Sequence, residues 1–129
     1  MRKFQLALAV AALVLTATAQ AADEPLGLKQ GTPDLKSAGP LAFAPQGVLL
    51  VGDPQGAAVF AIATGDKASD PSKAQINVSD LQQKLADLLS ASVQSVTVND
   101  LAVNPESGNV YLSVTAAGKP ALVRIDTTG

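Results

Sequence analysis

The chain has no cysteine, no histidine and no tryptophan, and its 129 residues include only one tyrosine and three phenylalanines. Without cysteine no disulfide can form and no thiol can act as nucleophile. Without histidine there is no Ser-His-Asp triad, and without either residue no His/Cys zinc site. GxSxG, P-loop, GxGxxG and EF-hand patterns are also missing. Asp66 and Asp70 lie four apart, but the ligands and glycine of a calcium loop are not between them. The scarcity of aromatic rings excludes a stacking platform for single-stranded nucleic acid. A core in this chain must therefore be built from Val, Leu, Ile and Ala, without covalent help.

What is present starts with an address. Arg2 and Lys3 precede an apolar run, Leu6 to Leu15, and small residues lead to Ala19-Gln20-Ala21. A positive start, a short apolar core and an A-x-A site are the layout of a secretory signal peptide, residues 1–21. The apolar run is well short of the roughly 20 residues that span a bilayer. No cysteine stands at the cleavage site to carry a lipid. The expectation is an exported protein, periplasmic or extracellular, not held at the membrane once the signal is removed, with a mature N-terminus at Ala22 or Asp23. Loss of Arg2 and Lys3 leaves seven basic residues against 11 acids, a net charge of −4. Such a surface disfavours nucleic acid and anionic headgroups.

Residues 22–38 form a polar lead-in punctuated by Pro25, Gly27, Gly31 and Pro33. Residues 39–66 then read as three short strands, Leu41–Ala44, Val48–Val51 and Ala58–Ile62. They are separated by Pro45-Gln46-Gly47 and Gly52–Gly56, which have turn chemistry, and Thr64-Gly65-Asp66 follows the third. Residues 97–129 repeat the plan. Leu101–Asn104 runs into Pro105–Gly108, Val110–Val114 into a turn at Ala116–Pro120, and Leu122–Asp126 into Thr127–Gly129. The offset is 60 residues at the first strand and 63 at the third, an internal repeat with small loop insertions.

Between the copies, residues 67–96 have another texture. Lys67 to Ala74 is a polar loop. Ser79-Asp80-Leu81-Gln82 has capping-box form. Leu81, Leu85, Leu88 and Leu89 make one helical stripe, and Asp80 stands four residues before Lys84 in the favourable order for an ion pair. The spacing predicts a helix over 80–91 with its stripe packed on a sheet, then a strand over Val93–Val98. The fold class is mainly β: antiparallel meanders with one short amphipathic helix inserted. The first meander is expected to pack on the second and on the helix stripe. The second meander's outer face and last strand are then left open, an edge available for self-association.

The segments Gly39 to Ile62 and Asn99 to Asp126 resemble blades of bacterial β-propellers, in the style of the NHL-repeat and gluconolactonase-like superfamily. Ala44-Pro45-Gln46-Gly47 and Asn104–Gly108 stand where those blades carry a D/N-P-x-G turn, and Val51-Gly52-Asp53 ends the following strand. The resemblance implies a propeller. Because a propeller closes with about 4 to 8 blades, it also implies that these two units are the N-terminal part of a longer, incomplete one.

The same resemblance brings forward Asn99 and Asp100, since Asn-Asp pairs at such blade starts face a central channel and share a divalent ion, usually calcium. Asn99 carries over as one ligand, while the matching Gly39 and Pro40 supply none. Asp53 is a second candidate carboxylate. Each also has a plain reading: Asn99-Asp100 as turn caps, and Asp53 as the first residue of a proline-containing turn. One Asn-Asp pair falls short of the about 6 to 8 oxygens calcium takes, so no cofactor is expected for these units alone. Three functions follow: an exported propeller-type binding or scaffold module without catalysis here, acting on a protein or small-molecule ligand; part of a metal-assisted lactonase-like hydrolase; or a small secreted interaction domain.

Overall fold

The computed structural model describes Leu28, residues 31–66 and residues 70–126. The expected signal peptide lies outside the described residues, as do Lys67–Ser69 of the polar loop and the closing Thr127–Gly129. The protein is mainly β: two antiparallel three-stranded sheets and one short helix. Sheet 1 contains β1 (Leu41–Ala44), β2 (Val48–Asp53) and β3 (Ala58–Ala63), and sheet 2 contains β4 (Val96–Val103), β5 (Val110–Ala116) and β6 (Lys119–Ile125). Each is a meander with its second strand in the middle, and the two sheets do not close into a ring.

The strand registers make the repeat quantitative. Leu41 faces Val51 and Phe43 faces Leu49 in sheet 1, while Leu101 faces Leu112 and Val103 faces Val110 in sheet 2. Leu49 also faces Ile62, and Val110 faces Ile125. First-strand positions therefore correspond at an offset of 60 residues, second-strand at 61 and third-strand at 63. The drift arises in the hairpins: the first connection lengthens, and in the second β5 and β6 pair further along before a shorter turn.

Partners across a sheet share a face, so the register also sorts the core. Leu41, Phe43, Leu49, Val51 and Ile62 lie on one face of sheet 1 and pack with Tyr111 and Leu122 of sheet 2. Phe43 meets the Tyr111 ring edge-on at 5.1 Å. The opposite face of sheet 2 carries Val96, Val110, Leu112, Val114, Ala116 and Val123, and on it sits helix α1 (Leu81–Leu89) through Leu85, Ala86 and Leu88. Sheet 2 is thus a middle layer. That explains why Val110–Val114 is apolar or small at every position rather than alternating: β5 is buried on both sides.

Here the structure corrects the expected packing. The leucine stripe covers the second meander, not the first, leaving open the outer face of sheet 1, where Ala42, Val59 and Ala61 are exposed, and on sheet 2 only the β4 side with Val98, Leu101 and Val103. The linker after α1 is short enough to run straight into β4, and this holds the helix against its own sheet.

Local signals explain the remaining differences. The capping box does not form. Asp80 precedes the helix in a left-handed conformation (φ 52°), without the extended backbone a capping side chain needs. Gln82 instead donates to the carbonyls of Val93 and Val96, tying the helix to the start of β4. No ion pair joins Asp80 to Lys84, which are linked through their backbones. The helix stops at Leu89 because Ser90 turns left-handed, and Ala91 N–H returns to the Ala86 carbonyl. The expected strand at Val93–Val98 and the first strand of the second copy are one strand, β4. Val93–Ser95 is a 3-10 turn before it, and an irregularity between Val98 and Asp100 absorbs Asn99 as a bulge. The β5–β6 turn is tighter than expected. Ala117 and Gly118 both have positive φ, 51° and 79°, the geometry of a two-residue hairpin matched to strand twist.

Candidate functional site

The three residues singled out from the sequence converge on one segment, the chain entering β1. Asp53 ends β2 and is 1 % exposed. Its carboxylate accepts from Lys36 N (2.7 Å), Ser37 N (2.9 Å), Ser37 Oγ (2.7 Å) and Gly56 N (2.9 Å). The last bond is the turn reading of Asp-Pro-Gln-Gly. Asn99, turned out of the β4 ladder by the bulge, donates to the Ala38 carbonyl (2.7 Å) and to Thr115 Oγ1 (2.9 Å). Asp100 accepts from Leu41 N and Leu101 N, at 2.9 and 2.8 Å. Ser113 Oγ adds a bond to the Gly39 carbonyl, 2.7 Å. Residues 36–41 are therefore a strap, held on one side by sheet 1 and on the other by sheet 2. The end of the lead-in is a structural part of the junction, and Ala38 within it is buried.

These contacts set the electrostatics. Burial would raise the Asp53 pKa, but the bonds from Ser37, Lys36 and Gly56 outweigh it and bring the carboxyl down to about 2. The amides of Leu41 and Leu101 lower Asp100 against a smaller effect of burial. Both are held as carboxylates by the N–H and O–H donors pointing at them. Among the described residues no three His, Cys, Asp or Glu side chains come together as a metal group.

A second polar cluster was not singled out from the sequence. Asp66, just after β3, accepts from Ser107 Oγ (2.8 Å), Tyr111 OH (2.9 Å), Asn104 Nδ2 (3.1 Å) and Asn109 Nδ2 (2.9 Å). Asn104 also donates to the Asp66 carbonyl. Tyr111 lies in β5, and the other donors belong to the β4–β5 turn, which is folded by its own side chains: Asn104 Oδ1 accepts from Glu106 N, and Ser107 Oγ from Asn109 N. On its other side Asp66 N bonds Thr64 Oγ1, which donates to the Gly47 carbonyl in the β1–β2 turn. Asp66 thus knots the first turn of each meander together. Burial pushes its pKa up, and the bonds from Ser107, Asn104, Tyr111 and Asn109 more than reverse this. Burial and the neighbouring Asp66 charge push Tyr111 up to about 12, so it stays protonated as a donor.

The sequence did carry a signal for this knot. Asn104, Ser107, Asn109 and Tyr111 are polar side chains within eight positions, and the first copy has Ala44, Gly47 and Leu50 in the corresponding stretch. A difference between two copies marks what one copy does that the other does not.

Gly108 lets the turn close. Its φ is 81°, and a Cβ there would meet Ala74 Cβ at 2.5 Å, whereas Gly118 (φ 79°) has nothing within 4 Å. Gly118→Ala should cost about 1 kcal/mol, the left-handed backbone alone. Gly108→Ala should cost about 2 kcal/mol or more, because the 70–74 segment must also give way. Urea midpoints of the two variants check this; equal losses would mean that the packing of Ala74 on Gly108 contributes nothing.

The described residues include no helix long and apolar enough to cross a membrane. Set beside known proteins, the chain matches no family model, no curated protein and no solved structure.

Proposed function

We propose that the chain is an exported, propeller-type binding or scaffold module with no catalysis in the described segment. One observation carries this reading. The acids at the meander junctions, Asp53, Asp66 and Asp100, each accept bonds from the chain's own backbone or side chains. Carboxylates stabilised in this way are weak bases at neutral pH, poorly suited to general-base work. Two register-matched meanders stacked face to face, with acids fixing the junction, suit a module whose surface is its product. Export rests on Arg2, Lys3, the Leu6–Leu15 run and Ala19-Gln20-Ala21.

The test uses protein recovered from the extracytoplasmic fraction of cells making the full chain. N-terminal sequencing should read Ala22 or Asp23. Calorimetry on that material should show no calcium binding, and a panel of lactones should not be hydrolysed. An intact Met1 would overturn export. Micromolar calcium affinity that is lost in Asn99→Ala would overturn the module reading in favour of the metal-assisted hydrolase.

A further inference from the structure

The described residues leave four large apolar side chains exposed: Val59 (72 %), Leu101 (54 %), Val103 (49 %) and Val98 (40 %). The strand registers show what the first three have in common. Leu101 and Val103 occupy the positions of Leu41 and Phe43 in the first meander, and Val59 occupies the position of Leu122 in the second. Leu41, Phe43 and Leu122 all belong to the core where sheet 1 packs on sheet 2. The molecule therefore contains that sheet–sheet interface once as a joined pair and once more as two separated halves. One half is the β4 side of sheet 2, where α1 covers the part around Val96, β5 and β6 and leaves Leu101 and Val103 bare. The other is the outer face of sheet 1, where half-buried Leu50 lies between Ala42 and Ala61 and Val59 stands exposed on β3.

We infer that copies of this protein associate head to tail, with the Leu101–Val103 strip of one copy seated on the outer face of sheet 1 of the next. A second copy is the occupant that fits because the internal interface already shows this face of one meander accepting that face of another. Leu101 and Val103 projecting from one half meet Leu50, Val59 and the flanking alanines of the other, so apolar surface is buried against apolar surface. The interface is heterologous: the two halves differ, so each copy keeps one of each free, and association continues unless its rotation closes a ring. The polar contacts of the internal junction are not duplicated, since Pro40 and Gly52 stand where sheet 2 has Asp100 and Ser113. Association is accordingly apolar, dependent on concentration and insensitive to salt. This goes beyond the module reading and holds whether or not the protein is exported.

The experiment is sedimentation velocity on the mature protein and on two variants, Val59→Glu and Leu101→Glu. Both positions are exposed, so both variants should keep the wild-type circular dichroism spectrum. The wild type should increase in mass with concentration, and each variant alone should remain a monomer. An equimolar mixture should reach twice the monomer mass and stop there, because each variant supplies the half the other lacks. A wild type that stays monomeric at every concentration, a variant that self-associates, or a mixture that stays monomeric beside an associating wild type would each overturn the inference.

Discussion

Asp66→Ala should destabilise the protein by about 3 kcal/mol or more, because it removes one acceptor from four donors at once. Ser107 is fully buried and Asn109 is 9 % exposed, so solvent cannot readily replace the carboxylate. Tyr111 is also the only aromatic ring that sheet 2 contributes to the sheet–sheet core, and losing its hydroxyl partner loosens the same contact that Phe43 makes. In a domain of this size the loss corresponds to a fall in melting temperature on the order of 15 °C. Asp66→Asn keeps the shape and one acceptor oxygen, but sets an amide against the Asn109 amide, and should fall between wild type and Ala. Asp34→Ala is the contrast. It removes a 2.9 Å ion pair with Lys36 whose side chains are 83 % and 59 % exposed, and should cost about 0.5 kcal/mol or less. Thermal and urea unfolding of the three variants decide the matter. If Asp66→Ala costs no more than Asp34→Ala, the knot is ornamental and the meanders are held by apolar packing alone.

Acid should undo the fold over a narrow window. Asp53, Asp66 and Asp100 all have folded pKa values below the ordinary 3.8, Asp53 at about 2. A carboxyl whose pKa is depressed on folding binds fewer protons in the folded state. Its contribution is complete above the unfolded value of 3.8 and is lost as pH falls through the folded value. All three groups hold the junction between the meanders or the strap at its entrance, so protonation removes neighbouring supports together. Circular dichroism should be flat from neutral pH to about 4.5 and then change cooperatively as pH falls from about 4 towards 2. The absence of histidine adds that no side chain with an ordinary pKa titrates between pH 5 and 8, and stability there should be level. Asp53→Asn should weaken the pH dependence as well as the stability. A structure that persists unchanged below pH 2, or one that melts above pH 5, would contradict this account.

Much of the architecture was legible from residues alone. The two three-strand meanders, their order, the offsets of 60 and 63 and the helix between them follow from short-range patterns: apolar runs of strand length, turn residues between them and leucines at helical spacing. These are local properties, and a chain states them wherever it is read. The plain reading of Asp53 as a turn residue was legible for the same reason, whereas Asn99 and Asp100, read as turn caps, lie within β4 and bond the distant chain entering β1.

Tertiary structure decided the rest. Whether the leucine stripe covers the first or second meander depends on which sheet lies within reach of the helix, and hydrophobic burial, being non-directional, does not specify that in the sequence. The Asn99 bulge turns that side chain toward Ala38, a partner 61 positions away. Gln82 abandoned its cap for the carbonyls of Val93 and Val96 because the fold brought a better partner. The Asp66 knot joins residues 38 to 45 positions apart, and no periodicity reaches that far. Sequence determined the elements and the repeat through local conformational preference. The layers, the strap and the two unmatched half-interfaces were decided only when distant side chains met.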